Sequence, residues 1–238
     1  MLDLNQILSP WTKPLKVIPV IPGTRYSTLA GAIREANKSK VGGGNGSVIL
    51  LPPGDYSADS IPTLDLSVNR IISIIAIGGL GSVLLPAIVA TGTAGNLLIE
   101  SCYASFGITC SGVLVLNRCP VSSLAGAATL QATFSSFSGT VACDSIGAVN
   151  TTFGGLITAV SGAVQLSQCS LVAGAGALIT TGGTLVSLIG TAITAGIISI
   201  VFSGAAGSLE VDSISNHYWD AATETLTNGS LALIGKFT

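Results

Sequence analysis

Acid–base chemistry needs at least two ionisable side chains within reach of one bond, and this chain offers few such pairs. Between Glu100 and Glu210 the only charged residues are Arg118 and Asp144. Glycosidic-bond hydrolysis generally uses two carboxyls roughly 5–10 Å apart, and Asp144 has no acidic neighbour in sequence to act with. Glu210 and Asp212 alternate, so in a strand they would share one face; a solvated strand edge is the favoured reading. Asp55 and Asp65 fall where the chain turns, and read as turn and strand-edge residues. His217 is the only histidine and lies in SNHYWD, beside Tyr218 and Trp219. Two readings stay open for this group. Tyr218 and Trp219 could form a stacking platform for a sugar ring. Alternatively His217, Tyr218 and Trp219 form a C-terminal cap, an apolar plug that shields an exposed strand edge. The cap is favoured.

The five cysteines, Cys102, Cys110, Cys119, Cys143 and Cys169, are odd in number and form no C-x-x-C or Cys/His spacing. A zinc site or a disulfide framework therefore does not fit, and buried, hydrophobe-like thiols do. Unpaired cysteines suit assembly in a reducing compartment. The expectation is that the chain has no catalytic residue, no cofactor-binding residue and no metal site.

Composition narrows the function further. Only 8% of the residues are charged, against about 25% in an ordinary soluble domain. Nine basic residues face eleven acidic ones, which leaves no electrostatic footprint for nucleic acid. The start, MLDLNQILSPWTKP, lacks the basic and apolar regions of a signal peptide. Ile71 to Ala90 is uncharged and long enough to span a bilayer. Its glycines, Pro86 and β-branched residues instead fit stacked, buried strands, so no membrane span is expected.

The elements that position these residues follow from local pattern. Residues 1–24 hold Pro10, Pro14, Pro19 and Pro22. Proline fixes φ and removes a donor, so an extended arm is expected there. Trp11, Val17, Ile18, Val20 and Ile21 are its apolar residues, which need a surface to lie against, either the chain's own domain or a neighbouring subunit; an assembly contact is the expectation. Ser27 or Thr28 can cap a helix with Leu29, Ala32, Ile33 and Ala36 on one face. Helix and Gly-rich turn occupy 25–46. From 47 to 214 short strand runs repeat without helices: Leu97–Ile99, Val113–Leu116, Thr129–Gln131, Ala148–Asn150, Ala163–Leu166, Thr184–Ser187 and Ser208–Val211. Each run is followed by a beat predicted to point inward, at Cys102, Cys119, Phe134, Phe153, Cys169, Ile189 and Ile214. A period near twenty residues without helical pattern marks a β-solenoid. Residues 215–238 form the C-terminal cap.

Residues 28–79 carry a recognisable succession: the helix with Ala32-Ile33, the Gly-rich turn, a strand, Leu51-Pro52-Pro53-Gly54-Asp55-Tyr56, another strand, and Ile77-Gly78-Gly79. This succession resembles the N-terminal opening of pectate-lyase-like right-handed parallel β-helix proteins. The segment LEVDSISNHYWDAATETLTNGSLALIGK (209–236) is similar to the closing segments of viral tail and spike proteins. The resemblance implies an all-β, single-stranded right-handed parallel β-helix with an N-terminal capping helix and an extended arm. Lyases and hydrolases of that family use clustered acids on neighbouring coils, and their catalytic pattern matches no position here. The expected function is therefore a non-enzymatic virion subunit, a spike, tail or capsid-associated protein assembled in the host cytoplasm. Its partners would be its own copies, as a homotrimer, and other shell proteins. A carbohydrate-binding or polysaccharide-degrading spike of the same fold is the alternative.

Overall fold

The computed structural model describes residues 16–38, 46–67, 70–172, 177–183, 185–194, 198–202, 208–212 and 232–234. These residues form one helix and a succession of parallel strands. Among the described residues the first element is strand β1 (Lys16–Pro19), followed by helix α1 (Leu29–Asn37) and strand β2 (Gly46–Leu51). The Thr28 side chain accepts the Gly31 N–H at 3.1 Å and caps α1, which satisfies one of the donors a helix start leaves open. Leu29, Ala32, Ile33 and Ala36 are wholly buried and pack α1 against the first strands. Asn37 ties the end of α1 to the next coil: it donates to Thr63 O at 2.8 Å and accepts the Asp65 N–H at 3.0 Å.

From β2 onward each coil lays down its strands directly on those of the coil before. A long ladder runs through β1, β2, Ile71–Ala76, Asn96–Glu100, Val113–Asn117, residues 129–133 and 145–149, Val164–Ser167, Leu185–Ile189, Ser208–Asp212 and Ala232–Ile234. A second ladder contains Leu64–Asp65, Ile88–Thr91, Ile108–Cys110, residues 124–127 and 141–143, Ile157–Ala159, Ala177–Thr181 and Ile198–Phe202. The third, of two- and three-residue strands, runs from Gly54–Asp55 and Val83–Leu84 through Cys102–Tyr103 to Pro120–Val121, Ser136–Phe137, Thr152–Phe153, Ser170–Val172 and Ala192–Thr194. Every pairing is parallel. The long parallel sheet curls through 276°, so the architecture is all-β and solenoid-like. No helix is long and apolar enough to cross a membrane among the described residues; the apolar stretch 71–90 is strands Ile71–Ala76, Val83–Leu84 and Ile88–Thr91.

In-register stacking puts like residues in columns. Leu97, Leu114, Leu130, Ile146, Val164 and Val186 face inward on successive long strands, and Ile88, Ile108, Leu124, Val141, Ile157 and Ile179 do so on the second ladder. No coil can bury these side chains alone, because each is covered by the coils above and below.

The corner after each long strand corrects the predicted inward beats. One residue there takes the left-handed conformation in five successive coils: Ser101 (φ 59°), Arg118 (56°), Phe134 (50°), Asn150 (49°) and Gln168 (52°). The residue after it turns inward, giving a column of Cys102, Cys119, Ser135, Thr151, Cys169 and Thr191, all buried. Phe134 was expected inward because it is large and apolar; at the corner itself it is 57% exposed, and Ser135 takes its place. Ile189 is exposed for a related reason, with buried Thr191 two residues on. Phe153 is buried but belongs to another column, Val121, Phe137, Phe153 and Leu171, on the short ladder. Ile214 lies outside the described residues.

A short side chain suits the corner column, because its hydroxyl or thiol donates back to a carbonyl two residues earlier. Ser135 Oγ donates to Thr133 O at 3.0 Å, Thr151 Oγ1 to Val149 O at 3.0 Å, and Cys119 Sγ to Asn117 O at 3.3 Å. Left-handed backbone costs an L-residue roughly 1–2 kcal/mol, and Asn tolerates it best among the non-glycines. Phe134→Asn is therefore expected to raise unfolding stability by about 0.5–1 kcal/mol, read as a higher urea midpoint. A fall in the midpoint would show that the exposed ring contributes more than the backbone costs.

Candidate assembly surface

The structure separates the sequence-predicted site residues into three sets. Trp11 lies outside the described residues, as do His217, Tyr218 and Trp219. Ile18 and Val20 are buried in this chain's own core, Ile18 in register with Ile49 on β2. Val17 and Ile21 point away from that core and are 54% and 48% exposed. The segment from Lys16 to Pro19 is thus the first rung of the long ladder. Removing residues 1–22 would uncover Ile49, so an arm deletion that spares the stack has to stop before Lys16.

The charged residues do not converge. Arg118 and Asp144 stand at opposite ends of the long-ladder strands and two rungs apart, and both are exposed. Glu100 accepts a hydrogen bond from Asn117 Nδ2 on the next rung at 3.2 Å. Asp55 and Asp65 end the short strands Gly54–Asp55 and Leu64–Asp65, each accepting the N–H of the residue two ahead, Ser57 and Ser67, at 2.9 Å. The Ser67 hydrogen bonds, with Arg70 at 2.6 Å from Oδ2, hold the Asp65 carboxyl below the usual range. Glu35 is also lowered, first by its hydrogen bond from Lys16, an ion pair that fastens α1 to β1. These are local structural fastenings. Among the described residues no group of three His, Cys, Asp or Glu could hold a metal.

The five thiols are buried and unpaired. Burial raises all of them, pushing Cys119 and Cys143 up to about 12. Only the thiolate attacks an alkylating reagent. Iodoacetamide at pH 8 is therefore expected to label Cys119 and Cys143 at least about 1,000-fold more slowly in the native than in the urea-unfolded chain, and the other three thiols more slowly as well, as followed by peptide mass. Rapid native labelling at any of the five would place that thiol outside the core.

Apart from Arg118 and Asp144, what the coils from residue 101 to residue 172 present outward is neutral. On the second ladder the outward column is Val89, Thr109, Ala125, Ala142 and Thr158; on the short ladder it is Tyr103, Pro120, Ser136, Thr152 and Ser170. The long ladder differs. Behind the buried Ile72, Ile74, Leu97, Ile99, Leu114 and Leu116, its outward positions on these strands are mixed: Ile71, Ile75, Leu98, Val113 and Val115, all half-buried, stand among Ser73, Asn96, Glu100 and Asn117. On later rungs the same face carries Thr129, Gln131, Thr133, Ser145, Gln165 and Ser167. Sequence reading did not single out these apolar residues. Their signal is present in IISIIA and VLVLN, where apolar residues occupy both parities of a strand; such strands are ordinarily covered on both sides.

No protein-family model, no curated protein and no solved structure matches this chain.

Proposed function

We infer that this chain is a non-enzymatic structural subunit of a virion or a comparable large shell, built as a right-handed parallel β-helix of the pectate-lyase-like kind and working through protein–protein contacts with its own copies and with shell proteins. The observation that carries the reading is the neutrality of the outward positions. From residue 101 to residue 172 the coils present only Arg118 and Asp144 as charges, whereas a solenoid that stays free in water carries charges of both signs on its surface. The N-terminal resemblance over residues 28–79 supports the handedness and the family; the scattered carboxylates support a role without catalysis.

The test has two arms. Particles purified from the native source should contain the chain in a fixed ratio to the major shell protein, as measured by quantitative mass spectrometry. The purified chain should release no reducing ends or unsaturated products from pectin-like or capsule-like polysaccharides. Absence from the particle would remove the structural reading. Product release abolished by Asp144→Asn would replace it with the enzymatic one.

A further inference from the structure

Alternate residues of a parallel strand turn their N–H and C=O to opposite neighbours, so the first rung of a ladder has one edge with no rung beyond it. Such an edge is a template for another chain's strand unless its donors are removed, satisfied or guarded by charge. Among the described residues the first rungs are β1, Leu64–Asp65 and Gly54–Asp55. On β1 the Val20 N–H goes to Leu50 O of β2, which turns Val17, Pro19 and Ile21 to the other side. Pro19 has no N–H, and the Ile21 N–H is taken by Tyr26 O at 3.1 Å. On the second ladder the Leu66 N–H goes to Thr91 O, which turns Thr63 and Asp65 to the edge. One side chain satisfies both: Asn37 donates from Nδ2 to Thr63 O at 2.8 Å and accepts the Asp65 N–H on Oδ1 at 3.0 Å. On the short ladder the Gly54 N–H goes to Ser82 O. Pro52 and Pro53, just before it, have no N–H, and Asp55, just after it, carries an exposed carboxylate.

We propose that the Asn37 carboxamide is a surrogate rung: it supplies the donor and acceptor that a preceding coil would supply, and with Pro19, Pro52 and Pro53 it closes the N-terminal end of the solenoid to strand addition by a second copy. A carboxamide, like a peptide unit, both donates and accepts. Asn37 is the last residue of α1, and α1 packs against β1, β2 and Leu64–Asp65, so the amide is held in place by a helix with a buried face. The distribution of charge agrees. Arg25, Arg34, Lys38 and Asp55 are exposed at this end, whereas from residue 101 to residue 172 the coils present only Arg118 and Asp144. Charged side chains beside an edge oppose pairing with another strand. Contacts between copies are thereby directed away from this end, whether or not the chain is a virion subunit.

Sedimentation velocity of the full chain, with thioflavin T fluorescence alongside, tests the closure. Asn37→Ala with Pro19→Val opens the edge of the second ladder and returns an N–H to the edge of β1. This variant should form elongated, dye-binding assemblies at a concentration at least about tenfold below any at which the wild type does, the factor that one or two regained backbone hydrogen bonds supply. Asn37→Asp keeps the acceptor for the Asp65 N–H, loses the donor to Thr63 O and sets a charge on the edge. It should lose urea stability as Asn37→Ala does, yet sediment like the wild type. If the double variant fails to fold by circular dichroism, Pro19→Val alone, which removes no hydrogen bond, should still lower the onset about threefold. A folded edge variant that sediments like the wild type would overturn the proposal. So would Asn37→Asp associating as strongly as Asn37→Ala, because lost stability and not an open edge would then drive association. Particle composition decides the virion reading separately: absence from particles removes that reading and leaves the closed end standing, and association unchanged in the edge variants removes only the closed end.

Discussion

Phe137→Ala is expected to destabilise the chain by about 3–5 kcal/mol, the usual cost of removing a buried phenylalanine and leaving its cavity. Phe137 is 1% exposed and stacks on Phe153 of the next coil, with ring centroids 5.2 Å apart and planes 9° from parallel. The pair fills the core behind two-residue strands, where little else can move in to occupy the space. Phe134→Ala, three residues earlier, should change stability by less than about 0.5 kcal/mol, because that ring faces solvent. Urea denaturation of the two variants side by side checks the coil register directly. Equal losses, or a larger loss at Phe134, would mean that the corner had been assigned to the wrong residue.

Gly112→Ala is expected to cost about 2–3 kcal/mol through overpacking of backbone on backbone. Gly112 sits at the bend between the second and long ladders, stacked on Gly95 of the preceding coil. A β-carbon on Gly112 would lie 2.4 Å from Gly95 O and 2.9 Å from Gly92 O. Those oxygens cannot rotate aside as a side chain would: the Val113 N–H bonds Gly95 O at 3.2 Å, and the five residues after Gly112 are locked in register with the five after Gly95. Gly147→Ala is the matched control. It stands on the outward side of a long-ladder strand with nothing within 4 Å of an added β-carbon, and should be neutral or stabilising by a few tenths of a kcal/mol. Comparing thermal midpoints of the two variants distinguishes a crowded corner from a general intolerance of alanine. A neutral Gly112→Ala would show that the rungs can separate there.

The helix, its Thr28 cap and its buried face were legible because each rests on short-range chemistry: a hydroxyl at the N-cap and apolar residues at helical spacing. The parallel stack was legible from runs such as Leu97–Ile99 and Val113–Leu116 recurring at intervals near twenty residues. The corners were not. At Phe134 and Ile189 the large apolar side chain drew the inward assignment, while the left-handed turn hands the inward place to a small residue that can bond its own backbone, Ser135 in one coil and Thr191 in another. Burial of cysteines at this column gave the right answer at Cys102, Cys119 and Cys169, since a thiol satisfies both demands. Val17 to Ile21 reads as an extended arm because prolines interrupt it, against either its own domain or a neighbour; a parallel edge strand tolerates Pro19 at its end, and Ile18 and Val20 lie in this chain's own core. The outward apolar residues from Ile71 to Val115 escaped notice because a strand apolar on both faces has the same composition as a strand covered on both.

The claim that neutral outward faces are covered by other protein is tested most directly by an electron cryomicroscopy map of the intact particle with this chain located in it. The account predicts that the outward columns of the coils between Ile71 and Val172 lie against neighbouring subunits. A chain standing alone in that map, with those columns open to solvent along their length, would contradict it.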